Sequence, residues 1–326
     1  MRDTHARIRT GTMPAPRAGA EGDPRVRVGL AHLRGLEGQA RGLSFLPQQP
    51  ARSVLNGRHM SKLRGRGLNF EELRDYLPGD DVRSIDWKVT ARTGKPHVRV
   101  FTEERDRPTL IVVDQRMSMF FGSALNMKSV TAAEIAALAA FTVLEQGDRL
   151  GGIVFGDEIR AEIRPARSRR ALNQFLTALA EAQAALGPDA PNVAPQSLND
   201  VLRAVALIAP RNHLVIVLSD FDVIDDQTAR MISGISAHND LVLGLVTDPF
   251  ADALPKDATL VISDGELQAA IDTGDSRIHR DLSALSAARI AHVVDWERRF
   301  GVPVLPLTSA QESLSQLRRL LGMRRR

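Results

Sequence analysis

The sequence Asp114-Gln115-Arg116-Met117-Ser118 closes an apolar run, Thr109–Asp114 (TLIVVD), and has the spacing of D-x-S-x-S. In that pattern an aspartate and two hydroxyls at a strand end ligate a divalent cation, because a hard cation takes oxygen ligands. Here Arg116 stands where the first serine would be. A guanidinium carries donors only, so it cannot ligate a cation and its charge repels one. Arg116 is expected instead to neutralise Asp114 and Asp220 directly. Asp220 ends a second apolar run, His213–Ser219 (HLVIVLS). A second candidate is Tyr76-Leu-Pro-Gly79-Asp80-Asp81-Val-Arg83-Ser-Ile-Asp86-Trp87-Lys88, followed by Ala91-Arg92. Pro-Gly-Asp is turn chemistry, and Arg83 and Arg92 are fork-shaped partners for Asp80, Asp81 or Asp86. One reading is a carboxylate cluster serving a metal-dependent hydrolase. The other is a structural knot, in which ion pairs and aromatics hold an extended arm against the main domain. A cation close in sequence to each acid favours the knot, and a partner-binding face could be built on it.

Little else in the chain proposes chemistry. There is no cysteine, which excludes disulfides, thiol catalysis and Cys-ligated zinc. The eight histidines include no i, i+4 pair, so the helix-borne zinc spacing is missing, and no G-x-S-x-G elbow occurs. Gly65-Arg-Gly67-Leu-Asn-Phe70 lacks the third glycine of a dinucleotide fingerprint, and Thr93-Gly94-Lys95 has no partner glycine five positions before Gly94. The basic excess lies early, with 8 Lys/Arg against 4 acids over residues 1–50 and 13 against 9 over residues 51–107. No nucleic-acid motif accompanies it, so no nucleic-acid partner is expected. Six of the 14 aromatics fall between Phe70 and Phe121, with the sole Tyr and one Trp eleven positions apart. That clustering suggests a local packing task, such as pinning the arm onto the sheet.

The elements that must position these residues follow from periodicity. Residues 1–25 read as a disordered leader. Val28, Leu30, Leu33 and Leu36 have helical spacing, for a helix ending near Gly42. Residues 47–107 show no long apolar run, but residues 96–101 alternate as a half-buried strand. After Arg107, strands at 109–114, 149–155, 158–164, 213–219, 241–247 and 302–307 alternate with helices at 129–144, 168–186, 198–208, 228–237, 276–300 and 312–321. An edge strand is expected at 259–263. Near-continuous apolar strands between helices predict an α/β fold with a doubly wound, mainly parallel sheet covered by helices on both faces. An irregular N-terminal β arm precedes it. The expected divisions are 1–25, 26–106 and 107–326. Such folds set functional groups at the carboxyl ends of strands, where Asp114, Asp220 and Asp248 fall. The N-terminus has no apolar core of a signal peptide, and no run is long enough to span a bilayer. A cytoplasmic protein is expected.

The motifs running from Gly65 to Trp87, with Tyr76-Leu-Pro-Gly79-Asp80-Asp81 and Asp86-Trp87 within them, resemble the bacterial family called domain of unknown function 58. The resemblance continues through Ala91-Arg92, Phe101-Thr-Glu103-Glu104-Arg105 and Asp114-Gln-Arg-Met-Ser118-Met119. It implies a von Willebrand factor A-like domain with a metal-ion-dependent adhesion site, and an association with MoxR-type AAA+ ATPases that mature or remodel client protein complexes. It implies an adaptor and not a catalyst. Asp114 and Ser118 match two first-loop ligands of that family, and Asp220 matches the later strand-end Asp. Gln196 falls at the expected Thr position, beside Ser197. Mg or Mn would be the ion, but Arg116 and Gln196 both depart from the pattern, so the site is expected to be degenerate. N-terminal membrane helices of family members have no counterpart here.

Overall fold

The computed structural model describes residues 23–41, 43, 68–78, 80, 82–103, 108–157, 159–187, 195–251, 259–263, 268–272 and 276–322. Gly79, Asp81 and the leader up to residue 22 lie outside the described residues. The chain begins with two short helices, α1 (Leu30–Gly35) and α2 (Glu37–Ala40). A hairpin follows, made of β1 (Leu68–Asp75) and β2 (His97–Glu103), with α3 (Trp87–Thr93) between its strands. Then come β3 (Thr109–Asp114), α4 (Lys128–Glu145), β4 (Leu150–Phe155), β5 (Ile159–Ala166), α5 (Arg169–Ala185) and α6 (Leu198–Ile208). The second half holds β6 (Leu214–Ser219), α7 (Asp226–Ser236), β7 (Asp240–Thr247), β8 (Thr259–Ser263), β9 (Gln268–Asp272), α8 (Ser276–Phe300), β10 (Val304–Thr308) and α9 (Ser313–Leu320).

Six strands form the main sheet in the order β10-β7-β6-β3-β4-β5. All neighbours are parallel except β4 and β5. Strands β3, β4 and β6 are buried along their whole length. That explains their unbroken apolar runs, since helices cover both sheet faces. Alternation divides each strand between two cores. Ile111, Val113, Val154, Ile216 and Leu218 pack with α1, α2, α4, α5 and α9. Leu110, Val112, Ile153, Val215 and Val217 pack with α6, α7 and α8, around Trp296. Val28, Leu33, Leu36, Ala40 and Leu43 contribute to the first of these cores.

Helix α4 is the centre of the first core, and its alanines let its neighbours come close. Glu134, on α4, joins the first helix to the last: one carboxylate oxygen meets His32 Nε2 at 2.7 Å and the other accepts from Ser313 Oγ at 2.6 Å. Gly152 is required for close approach, since a Cβ there would lie 2.4 Å from the Phe175 ring. Ser168 caps α5 by accepting from Ala171 N at 3.1 Å, as its place before the helix suggests.

One expectation is corrected. Strand β8 is not an edge of the main sheet; it pairs antiparallel with β9 in a separate two-stranded sheet. The β1–β2 hairpin, too, is its own sheet, and its described hydrogen bonds run within the arm. Trp87, one of the aromatics expected to pin the arm, is 67% exposed.

Candidate functional site

The sheet has its topological switch point between β3 and β6. From β3 the chain moves to β4 and β5 on one side, then returns to β6, β7 and β10 on the other. Crevices at such points, beyond the carboxyl ends of the strands, are where α/β sheets bind ligands. Asp114 ends β3 and Asp220 follows β6, so the two acids sit side by side at that crevice.

One local device recurs at the ends of β3, β6 and β7. The side-chain oxygen of a strand-terminal residue accepts from the amide two residues on, turning the chain away. Asp114 Oδ1 takes Arg116 N at 3.0 Å, Ser219 Oγ takes Phe221 N at 2.9 Å, Asp220 Oδ1 takes Asp222 N at 3.1 Å and Asp248 Oδ1 takes Phe250 N at 2.9 Å. Asp248 further holds Ser123, through its amide at 2.9 Å and its hydroxyl, and Ser309. Its carboxylate therefore ties the loop before α4 to β7 and β10.

The charges at the switch point are matched one to one. The Arg116 guanidinium forks onto Asp114, with Nη2 2.7 Å from Oδ2 and Nε 3.0 Å from Oδ1. It also donates to the Gln196 carbonyl at 3.4 Å and lies 5.6 Å from the Phe155 ring centroid. Ser219 Oγ donates to Asp114 Oδ2 at 2.7 Å. Arg116 bonds to Asp114, while on Asp220 it acts through its charge alone. Asp220 has its own cation, Lys128, whose Nζ stands 2.6 Å from Oδ2. The reason is reach: the fork is used up on Asp114, while the first turn of α4 aims Lys128 at Asp220. All four side chains are buried. Burial raises Asp114 above the usual carboxylate range, outweighing the bonds and charge of Arg116 that oppose it. Burial also acts to raise Asp220, but the charge and hydrogen bond of Lys128 prevail and hold it below that range. Arg116 is pushed the other way from burial by its bonds to Asp114, and its pKa lies above the ordinary guanidinium value.

A divalent cation does not fit this donor set. Both oxygens of Asp114 and one of Asp220 already face cationic nitrogens, and a third positive charge would meet two fixed ones. Ser197 is likewise engaged: its hydroxyl caps α6 by accepting from Asn199 N at 3.2 Å. Ser118 differs, because its hydroxyl is buried and has no hydrogen-bond partner among the described residues. Leaving such a group unmet costs about 1–3 kcal/mol. Ser118→Ala is therefore expected to leave stability unchanged or raise it by up to about 1 kcal/mol, read from urea unfolding midpoints. A clear loss of stability would show that the hydroxyl has a partner.

The loop after β6 carries strain. Phe221 and Val223 have φ of 51° and 54°, a left-handed region that costs a bulky or β-branched residue about 1–3 kcal/mol. Phe221 is buried edge-on against Trp296, with centroids 6.1 Å apart. Val223 instead is 83% exposed. Beside it, Arg289 of α8 reaches Asp222 at 3.2 Å.

In the arm, Asp80 is forked by Arg74, through two bonds of 2.8 Å, and accepts from Leu77 N at 2.9 Å. Arg74 is thus a fork partner of Asp80 that the sequence reading did not name. Asp86 caps α3, accepting from Lys88 N and Val89 N. Tyr76 N donates to Pro96 O at 2.9 Å, closing the hairpin. Each of these acids serves its own turn. Among the described residues no group of three His, Asp or Glu could hold a metal ion.

Sequence reasoning missed Lys128, Arg74 and the buried pair in which Gln183 Nε2 donates to Gln115 Oε1 at 2.6 Å. Lys128 had one signal. It opens α4, where the helix dipole disfavours a cation, so a dedicated acid was implied.

Residues 72–291 match the family described as "Protein of unknown function DUF58". Uncharacterized proteins of Mycobacterium bovis and Mycobacterium tuberculosis are each 31% identical over 289 residues, covering 88% of this chain and 89% of the relative. Among solved structures, the conserved hypothetical protein BatB from Bacteroides thetaiotaomicron aligns with a TM-score of 0.40 at 10% identity, over 66% of this chain and 95% of that one. An aerotolerance-related membrane protein from Bacteroides fragilis aligns at 0.39 and 11%, over 66% and 97%. Among the described residues, no helix is long and apolar enough to cross a membrane.

Proposed function

The chain belongs to the family described as "Protein of unknown function DUF58", and on that premise we propose that it is a non-catalytic adaptor that docks protein partners on its strand-end face. The observation that carries this reading is the pairing of Asp114 with Arg116 and of Asp220 with Lys128. Carboxylates that could hold a metal or move a proton are committed to fixed cations, so the crevice is a rigid, neutral platform. Strain at Val223 beside it holds an apolar side chain out in solvent. Strain that persists at a strand-end loop points to a function.

The partner is a MoxR-type AAA+ ATPase, and the pair acts in chaperone-like maturation or remodelling of a client complex. The domain is von Willebrand factor A-like, with a degenerate adhesion site in place of a metal-holding one, and it works in the cytoplasm. The sequence resemblance supports these finer statements.

The experiment is affinity purification of the full chain at native expression, with ATP or ADP and Mg²⁺ present. A MoxR-type ATPase identified by mass spectrometry is the expected result. Val223→Asp should reduce its recovery while changing stability by no more than about 0.5 kcal/mol, as for most surface substitutions. Recovery of no ATPase in any nucleotide state would sink the proposal.

A further inference from the structure

Helix α3 of the arm turns an unusual face to solvent. On its inner side Val89 and Thr90 are half-buried, and Thr90 Oγ1 accepts from His97 N at 3.1 Å, which fastens the helix to β2. The outer side holds Trp87 and Ala91, one turn apart, and beside them Lys88 and Arg92, also one turn apart. All four are exposed. Residues four apart share a helix face, so the two pairs form parallel stripes, one apolar and one cationic. Neither Lys88 nor Arg92 is in an ion pair among the described residues. The acids nearby are engaged elsewhere: Arg74 forks Asp80, His97 meets Asp75 at 3.1 Å, and Asp86 accepts from the first amides of α3. Local rules oppose such a face. Like charges one turn apart destabilise a helix, and the helix dipole disfavours a cation in the first turn, where Lys88 stands. Trp87 leaves 67% of its surface in water. Departures of this kind mark places where a sequence serves function.

Charge and spacing specify what covers this face. We propose that the outer side of α3 docks an extended acidic segment of a partner protein, in which carboxylates alternate with apolar residues. One helical turn carries the chain about 6 Å from Lys88 to Arg92. Alternate residues of an extended segment stand about 6.6 Å apart on the same side. A segment lying along the seam between the stripes therefore sets two successive carboxylates against Lys88 and Arg92. The residues between them point the other way, onto Trp87 and Ala91, and apolar side chains suit that stripe. Nucleic acid fits less well. Residues 68–103 carry 7 acids against 6 Lys/Arg, so a long phosphate chain would be repelled once it left α3. The other exposed side chains before the helix, Leu77 and Val82, offer neither charge nor a ring to stack on. The strand-end face takes no part in this contact, and neither reading depends on the other.

The test titrates the peptide Gly-Glu-Leu-Glu-Leu-Glu-Leu-Gly into the full chain and reads tryptophan fluorescence with acrylamide present. The chain has two tryptophans. Trp87 is exposed and open to the quencher, whereas Trp296 is fully buried and reports that the fold is unchanged. Bound peptide should shield Trp87 saturably, with an affinity that falls as salt screens the charges. A peptide with Gln for Glu should bind at least about tenfold more weakly, and so should one with its three Glu grouped before its three Leu. Lys88→Glu combined with Arg92→Glu should weaken the acidic peptide at least about tenfold and gain the peptide with Lys for Glu. Both positions are exposed, so the variant should keep the wild-type Trp296 emission. Absence of shielding up to about 1 mM peptide would overturn the proposal. So would equal binding of the neutral or the regrouped peptide, or a charge exchange that does not swap the preference. Single-stranded oligothymidylate of about 12 nucleotides that shields Trp87 at lower concentration than the peptide would overturn it in favour of nucleic acid.

Discussion

Lys128→Met is expected to destabilise the protein by about 3–5 kcal/mol, the usual cost of stranding one charge of a buried pair. Lys128 and Asp220 are both buried and meet at 2.6 Å. Methionine keeps the length and packing of the side chain, so the loss measures charge and not volume. Asp220 would then stand ionised without its cation, or take up a proton and give up its depressed pKa. The sign of the pH effect follows. A folded-state pKa below the unfolded one contributes stability above the unfolded value of about 3.9, and that contribution disappears as pH falls through the folded value. Lys128→Met should therefore lose most against wild type at neutral pH and least in acid. Replacing both partners, by Lys128→Met with Asp220→Asn, should recover much of the loss. Urea unfolding at several pH values reads all of this. A single substitution costing under about 1 kcal/mol would mean the pair behaves as a surface contact.

Arg116→Ser has the second large effect, and it has two parts. Without metal it should cost about 3–5 kcal/mol, since Asp114 loses the fork that compensates its burial. It also completes the D-x-S-x-S spacing and removes the charge that repels a cation. With Mg²⁺ or Mn²⁺ at about 100 times its dissociation constant, the variant should regain about 2.7 kcal/mol. Wild type should show no metal-dependent change in Tm. A rise for wild type would mean that a cation displaces Arg116 or Lys128. A variant indifferent to metal would mean that Lys128 alone keeps the crevice closed.

The sheet was readable because its strands are covered on both faces. Thr109–Asp114 and Leu214–Ser219 are buried throughout, have apolar interiors and end where an acidic side chain turns the chain, so local sequence carries both the strand and its stop. Helix α6 is found at Leu198–Ile208, as its periodicity predicts. The arm was less legible. Strand β1 (LNFEELRD) is rich in charge and shows no clean alternation, and among the described residues it pairs with β2. Strand β8 looks like any short apolar strand, and nothing local says that β9 is its partner. The candidate site divides along the same line. Arg116 is two residues from Asp114 and could be matched by eye. Lys128 and Asp220 are 92 residues apart, and Gln115 and Gln183 are 68 apart. Contacts of that span are made by topology, and one sequence does not display them.

Glu134 has a bearing on how far the protein can be shortened. One carboxylate accepts from helices that come from opposite ends of the described chain, α1 through His32 and α9 through Ser313. Both helices therefore lie over the same stretch of α4, and trimming from either direction bares one surface and not two. That surface is alanine-rich and apolar, the sort that makes a truncated protein aggregate. A piece that keeps this core covered reaches from Val28 to Leu317, which both lie in it. For the same reason the two helices are natural points to splice, since a linker joining them would bridge neighbours and not cross the molecule.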